Sequence, residues 1–181
     1  MNDSTMVLAR GRMQTAAAVF VFAVATALAA QVAVPIPGTP VPLALAPMAV
    51  VLAGLWLGPA AGAASMALYV LAGAAGLPVF APIGLPGIAR LFGPTGGYLL
   101  AYPAAAAIAG LIARRFPRTP GRIVAALLGM AVIHLGGVAQ LALLTGSVAT
   151  GALLGSTPFL LADAAKAFVA GAIPPRGTTP A

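Results

Sequence analysis

The amino-acid sequence predicts an all-α integral membrane protein: six transmembrane helices with proline- and glycine-rich outer loops. Three observations carry this. Of 181 residues, 61% are hydrophobic and only 6% charged, and the mean hydropathy is +1.07, more apolar than a soluble core of this size requires. The apolar residues fall in runs suited to membrane helices, and they are expected to build one membrane domain. The charges gather at the ends of those runs, where they set topology. The net charge of +7 therefore does not point to nucleic acid, since the basic residues form no patch with interleaved aromatics. The absence of cysteine excludes thiol catalysis, disulfides and thiolate metal sites.

Residues 1–12 form a polar N-terminal segment, with Arg10 and Arg12 just before the first apolar run. Met13 to Val32 gives about 30 Å of helix, enough to cross a bilayer. Ala27–Leu28–Ala29 resembles a signal-peptide cleavage site, but the run is longer than a signal core and more runs follow, which favours a retained helix. Ala23 with Ala27, and Ala25 with Ala29, give small residues at four-residue spacing, a pattern that lets helices pack closely.

From Val34 to Pro47 the prolines Pro35, Pro37, Pro40, Pro42 and Pro47 forbid a regular helix and predict an extended, stiff segment. Because it is still apolar, it suits a lid or re-entrant loop packed on protein. Leu43 to Leu57 and Ala60 to Ala75 are short runs separated by Gly58–Pro59, so tilt, local thinning or a partly re-entrant course is expected. Trp56 lies by that turn, where an interfacial indole is expected.

Gly76 to Phe92 is a second irregular region, with Pro78, Pro82, Pro86 and a single charge, Arg90. The motif Phe92–Gly93–Pro94–Thr95–Gly96–Gly97–Tyr98 opens a fourth run that ends near Ala113. Its glycines permit close backbone approach, and no Lys-Ser or Lys-Thr follows them, so it is not a nucleotide loop. Arg114, Arg115, Arg118 and Arg122 follow. The fifth span, Ile123 to Leu144, carries His134 and Gln140. A Gly/Ser/Thr turn from Thr145 to Thr157 precedes a last helix to Ile173, and residues 174–181 read as a flexible tail. The membrane domain is thus expected over 13–173.

With the N-terminus in the cytoplasm, Arg10, Arg12, Arg114, Arg115, Arg118, Arg122 and Arg176 all fall inside, seven of the nine positive charges. Both termini are then cytoplasmic. The two exceptions are Arg90, in an outer loop, and Lys166, inside the last helix three residues after Asp163. On a helix that spacing puts Asp163 and Lys166 on one face. A charge inside the membrane is costly, usually faces a bundle interior or wet cavity, and usually marks function. The plainer reading is a self-neutralising pair that holds helices together. The proline-rich loops, Arg90 and this pair converge on the outer side, which describes a pocket open to the exterior.

Arg90 offers a planar fork for a carboxylate, Asp163 accepts from N–H groups, and Lys166 donates to a carbonyl oxygen. The layout alone therefore predicts a ligand that is a small amphiphilic acid with a neutral polar head. Taken by itself Arg90 equally suits a snorkelling interfacial arginine; its sign, against the positive-inside pattern, favours a ligand. Tyr98 and Tyr102, one turn apart, line the pocket or pack helices. His134, alone in mid-span, reads as a hydrogen-bonded packing residue, and Gln31 is placed to bind or to cap. No catalytic or metal-ligating constellation stands out.

Gly93 to Pro103 (GPTGGYLLAYP), Leu52 to Phe80 (LAGLWLGPAAGAASMALYVLAGAAGLPVF) and Pro158 to Gly171 (PFLLADAAKAFVAG) together resemble the BioY family. Its members are biotin-binding substrate (S) components of energy-coupling factor transporters. The resemblance runs from about Met13 to Ile173 and implies six membrane helices around an outward-facing pocket, in a bacterial inner or cell membrane. It implies that Asp163 and Lys166 contact the ureido ring of biotin, that Arg90 contacts its carboxylate, and that Tyr98 is the motif tyrosine. It also implies a membrane coupling subunit and ATPase subunits as partners, docked on the small-residue face of the first helix (Ala23, Ala25, Ala27, Ala29). This agrees with the lack of a Walker motif. No cofactor is implied.

Three alternatives stay open from the residues. One is an S component or solitary carrier for another carboxylate-bearing, vitamin-like molecule. Another is a non-catalytic structural subunit of a membrane complex. The last, a membrane enzyme using His134 or Asp163 as general base, lacks further carboxylates or a metal cluster to support it.

Overall fold

A computed structural model describes residues 3–174, with side chains from Gly11 onward. The expected flexible tail lies outside the described residues from 175 on, and Arg176 with it. The chain forms α1 (Asp3–Gln31), a hairpin of β1 (Ala33–Val34) and β2 (Leu43–Ala44), α2 (Ala46–Leu57), α3 (Pro59–Ala74) and the short α4 (Ala89–Phe92). Then come α5 (Gly96–Arg115), α6 (Thr119–Thr145), α7 (Val148–Gly155) and α8 (Leu160–Ala172). Each expected apolar run is a helix, but they are not equal spans. Gly11–Gln31, α5 and α6 are each long and apolar enough to cross a membrane, and α7 with α8 form one candidate span bent by 58°. The 12 residues of α2 and 16 of α3 are shorter, and the Gly58–Pro59 turn folds them back on each other. Gly58 takes φ +81, which a side chain would resist, and a Cβ there would run into the Arg114 guanidinium.

Two boundaries differ from the sequence expectation. Helix α1 does not start at Met13; its backbone is helical from Asp3, because the polar segment contains good helix formers and no proline. The stretch from Thr145 to Thr157 is not a simple turn. Ser147 caps a new helix there, its hydroxyl accepting from the Thr150 N–H at 3.2 Å. The proline-rich segment is extended as expected, and its ends pair as an antiparallel hairpin, Ala33 opposite Ala44.

Helices α5 and α6 form the most extensive contact in the fold. The glycine motif explains how. A Cβ at Gly97 would sit 2.0 Å from the Gly136 carbonyl oxygen, and one at Gly137 would sit 2.0 Å from the Tyr98 ring. Gly97 and Gly136 therefore let the two backbones touch, and Gly137 makes the slot that seats Tyr98. At the arginine end, Arg122 is buried and donates through Nε to Gly171 O at 3.0 Å, tying the end of α8 to the start of α6. Trp56, half-buried beside the α2–α3 turn, packs edge-on to Phe22, ring centroids 5.9 Å apart, with its indole nitrogen buried.

Candidate functional site

At the end of the bundle opposite Arg114, Arg115, Arg118 and Arg122 lies a cavity of about 640 Å³, open mouth included. Its roof is the Pro-rich hairpin (Val41, Pro42, Leu43 and Ala44), with Ala46 and Pro47 at the start of α2. Its walls carry Tyr69 from α3, Phe80 and Ala81 from the following loop, Arg90 from α4, Thr95 just before α5, and Tyr98, Leu99 and Tyr102 from α5. Ala30, Ile133, Phe159 and Asp163 complete the lining. The surface is thus mostly apolar and aromatic, with two fixed charges, the general form of a small-molecule site.

Asp163 is 6% exposed and sits in the first turn of α8. Lys166 Nζ is 2.6 Å from its Oδ1 and also donates to Ala44 O at 2.8 Å, so the pair is pinned to the end of the hairpin. His134 Nε2 stands 3.1 Å from the other oxygen, Oδ2, though its N–H is not aimed squarely along that line. On the far side of the imidazole, Nδ1 is 3.3 Å from Ser156 Oγ. The buried carboxylate is thus balanced by a lysine at one oxygen with the imidazole close to the other, which is what makes it tolerable in an apolar bundle.

Arg90 is 5% exposed and donates to Ile83 O and Ala81 O, holding its own loop closed. Gly84 leaves room for the guanidinium, which a Cβ there would strike. Two carbonyls do not exhaust five N–H donors, and Nε has no protein partner. Burial lowers the guanidinium from its ordinary value, with Tyr69 acting in the opposite sense; an arginine stays charged regardless.

The five expected ligand contacts separate. Asp163, Arg90 and Tyr98 line the cavity; Lys166 reaches it only through Asp163 and Ala44. The Tyr98 hydroxyl is committed to Gly155 O, so what it presents to the cavity is its ring. Gln31 is exposed and is not in the lining. Its amide donates to Ala27 O at 3.0 Å, Phe80 O at 3.2 Å and Val79 O at 3.4 Å, tying the end of α1 to the loop after α3. The small-residue face also divides. Ala23 is buried and Ala27 packs on the core beside Thr26, so that pair serves α1's own packing, whereas Ala25 is exposed. Sequence reasoning missed Tyr69, Phe80 and Phe159. Tyr69 stacks on Tyr102 at 6.1 Å and meets Phe80 edge-on at 5.6 Å; aromatics at those positions read equally as helix packing. It also missed the engagement of Asp163 by His134, 29 residues earlier in the chain, for which no spacing rule exists.

Comparison with known proteins agrees with this architecture. The fold superposes on a crystal structure of the S-component for biotin from an ECF-type ABC transporter with a TM-score of 0.80, covering 94% of this chain and 90% of that one, at 23% identity. That likeness establishes the fold. A probable biotin transporter BioY of Pyrococcus horikoshii is 44% identical over 121 residues, 67% of this chain and 70% of that protein. The biotin transporter BioY of Thermotoga maritima is 35% identical over 124 residues, 68% of this chain and 73% of its own length. Since the match to the BioY family runs nearly end to end, over residues 2–179, this multi-pass membrane chain belongs to the BioY family.

Proposed function

We propose that this chain binds biotin and serves as the biotin-specific S component of an ECF-type transporter. It is a carrier and not an enzyme. The observation that carries the reading is the cavity itself: an aromatic and apolar chamber with an engaged aspartate at one wall and a buried arginine on another. Biotin has a matching division, with a neutral ureido head that donates N–H and accepts at its carbonyl, an apolar ring and chain, and a terminal carboxylate. In this reading Asp163 accepts from a ureido N–H, Lys166 steadies that carboxylate, and Arg90 takes the terminal carboxylate with its free donors. Tyr98 supplies a ring wall, and Gln31 holds the loop that carries Phe80. The names of the relatives support the choice of ligand.

The reading extends to partners and topology. A membrane coupling subunit and ATPase subunits supply the energy, since the sequence holds no phosphate-binding loop of its own. Docking falls on the exposed Ala25 and the half-buried Ala29, because Ala23 and Ala27 pack within the chain. Both termini are cytoplasmic, as the arginine end of the bundle implies.

The test compares biotin with its uncharged amide on the purified chain. Wild type is expected to bind both, the acid more tightly. Arg90→Ala loosens the loop for either ligand but also removes a charge-assisted bond for the acid alone, a further loss of about 1.5–3 kcal/mol. Equal losses for acid and amide would show that Arg90 does not read the carboxylate, and no binding of either ligand by wild type would end the biotin reading.

A further inference from the structure

We infer that His134 is a positioning residue for the head-group end of the cavity: it holds the second oxygen of Asp163 and ties that carboxylate, through Ser156, to the end of α7. The inference deepens the biotin reading above and rests on it. His134 is 8% exposed and sits between α8 and the end of α7. On one side Nε2 lies 3.1 Å from Asp163 Oδ2 on α8; on the other, Nδ1 lies 3.3 Å from Ser156 Oγ at the C-terminal end of α7. The types of the partners assign the tautomer. A serine hydroxyl can donate to Nδ1, which leaves an N–H on Nε2, 3.1 Å from an oxygen that can only accept though not aimed squarely at it.

The consequence lies in the lone pairs of Asp163. Lys166 occupies one site at Oδ1, at 2.6 Å. With that contact alone the carboxylate could swing about its last bond, because terminal torsions of this kind are broad. A second contact at Oδ2 fixes the plane and leaves a lone pair on each oxygen for a ligand N–H. The neighbouring residue Gly155 is held as well, since its carbonyl accepts from Tyr98. Ser156 is therefore a firm anchor, and the imidazole bridges a fixed point to the binding carboxylate. His134 is not part of the cavity lining, so it acts through Asp163 rather than on the ligand.

Biotin binding to purified chain tests this in a double-mutant cycle. His134→Leu is expected to weaken biotin roughly tenfold, the low end of the worth of a polar contact to a charged group. His134→Gln, which keeps a donor near the Nε2 position, should recover most of that loss, whereas His134→Asn is too short and should not. In an Asp163→Asn background, His134→Leu should add less than about a twofold change, because partners acting through one group are not additive. Each variant is compared only as monodisperse protein, and if the leucine variant does not fold, the glutamine–asparagine comparison decides. Tight biotin binding by wild type together with unchanged binding by His134→Leu, or equal binding by the glutamine and asparagine variants, would overturn this inference alone. So would a full tenfold loss on top of Asp163→Asn. A wild-type chain that does not bind biotin would instead remove the function on which it rests.

Discussion

Among the described residues Asp163 is the one carboxylate inside the bundle, and its surroundings set what any change there should do. Asparagine keeps the size and an acceptor but leaves Lys166 without its counter-charge and weakens acceptance from ligand N–H groups. Asp163→Asn is therefore expected to cost at least ~2 kcal/mol of biotin binding, the scale of a charge-assisted hydrogen bond. Calorimetry on monodisperse protein checks this, and a loss within error of zero would show that the ligand does not meet this carboxylate. The Asp163–Lys166 contact was legible in the sequence because helix periodicity places such residues together and membrane cost makes charges conspicuous. Arg90 stood out for the same reason, as a positive charge on the wrong side. Its loop contacts to Ala81 and Ile83 could not be read, because backbone carbonyls carry no signature in sequence. His134 and Ser156 were hidden differently: polar residues far apart in the chain meet only through the packing of α6 against α7 and α8.

At the scale of elements, the apolar runs located the helices well, and prolines marked the hairpin and the loop before α4. What they did not reveal was α7, whose serine cap lies in a stretch rich in residues that also favour turns. They did mark α2 and α3 as short, because these runs are as apolar as their neighbours and differ in length. The proposed direction of each helix rests on charge. Arg114, Arg115, Arg118 and Arg122 lie at the end of the bundle where Gly58 and Gly171 are also found, and the hairpin and Arg90 lie at the other. Reporter fusions at Arg118 and Arg90 are expected to sit on opposite sides of the membrane, Arg118 in the cytoplasm. Signals from the same side would break the proposed topology.

For the molecule as a whole, the architecture places a roofed cavity on one side of a tightly packed bundle. Glycine and alanine contacts make the body rigid: Gly97 against Gly136, and Gly54 against Ala106. The roof is held by few bonds, chiefly Thr39 Oγ1 to Leu154 O at 2.7 Å and Lys166 Nζ to Ala44 O at 2.8 Å. The second of these comes from the same lysine that steadies Asp163, so the head-group end of the cavity and its cover share one side chain. The central claim is that this charged pair binds ligand and is not merely glue. A pair that only neutralises itself can be replaced by apolar residues at little cost. The most direct measurement is therefore biotin calorimetry on the Asp163→Leu, Lys166→Leu double variant beside wild type, both folded and monodisperse. The account predicts an intact fold with biotin binding abolished; wild-type affinity in the double variant would make the pair structural and contradict it.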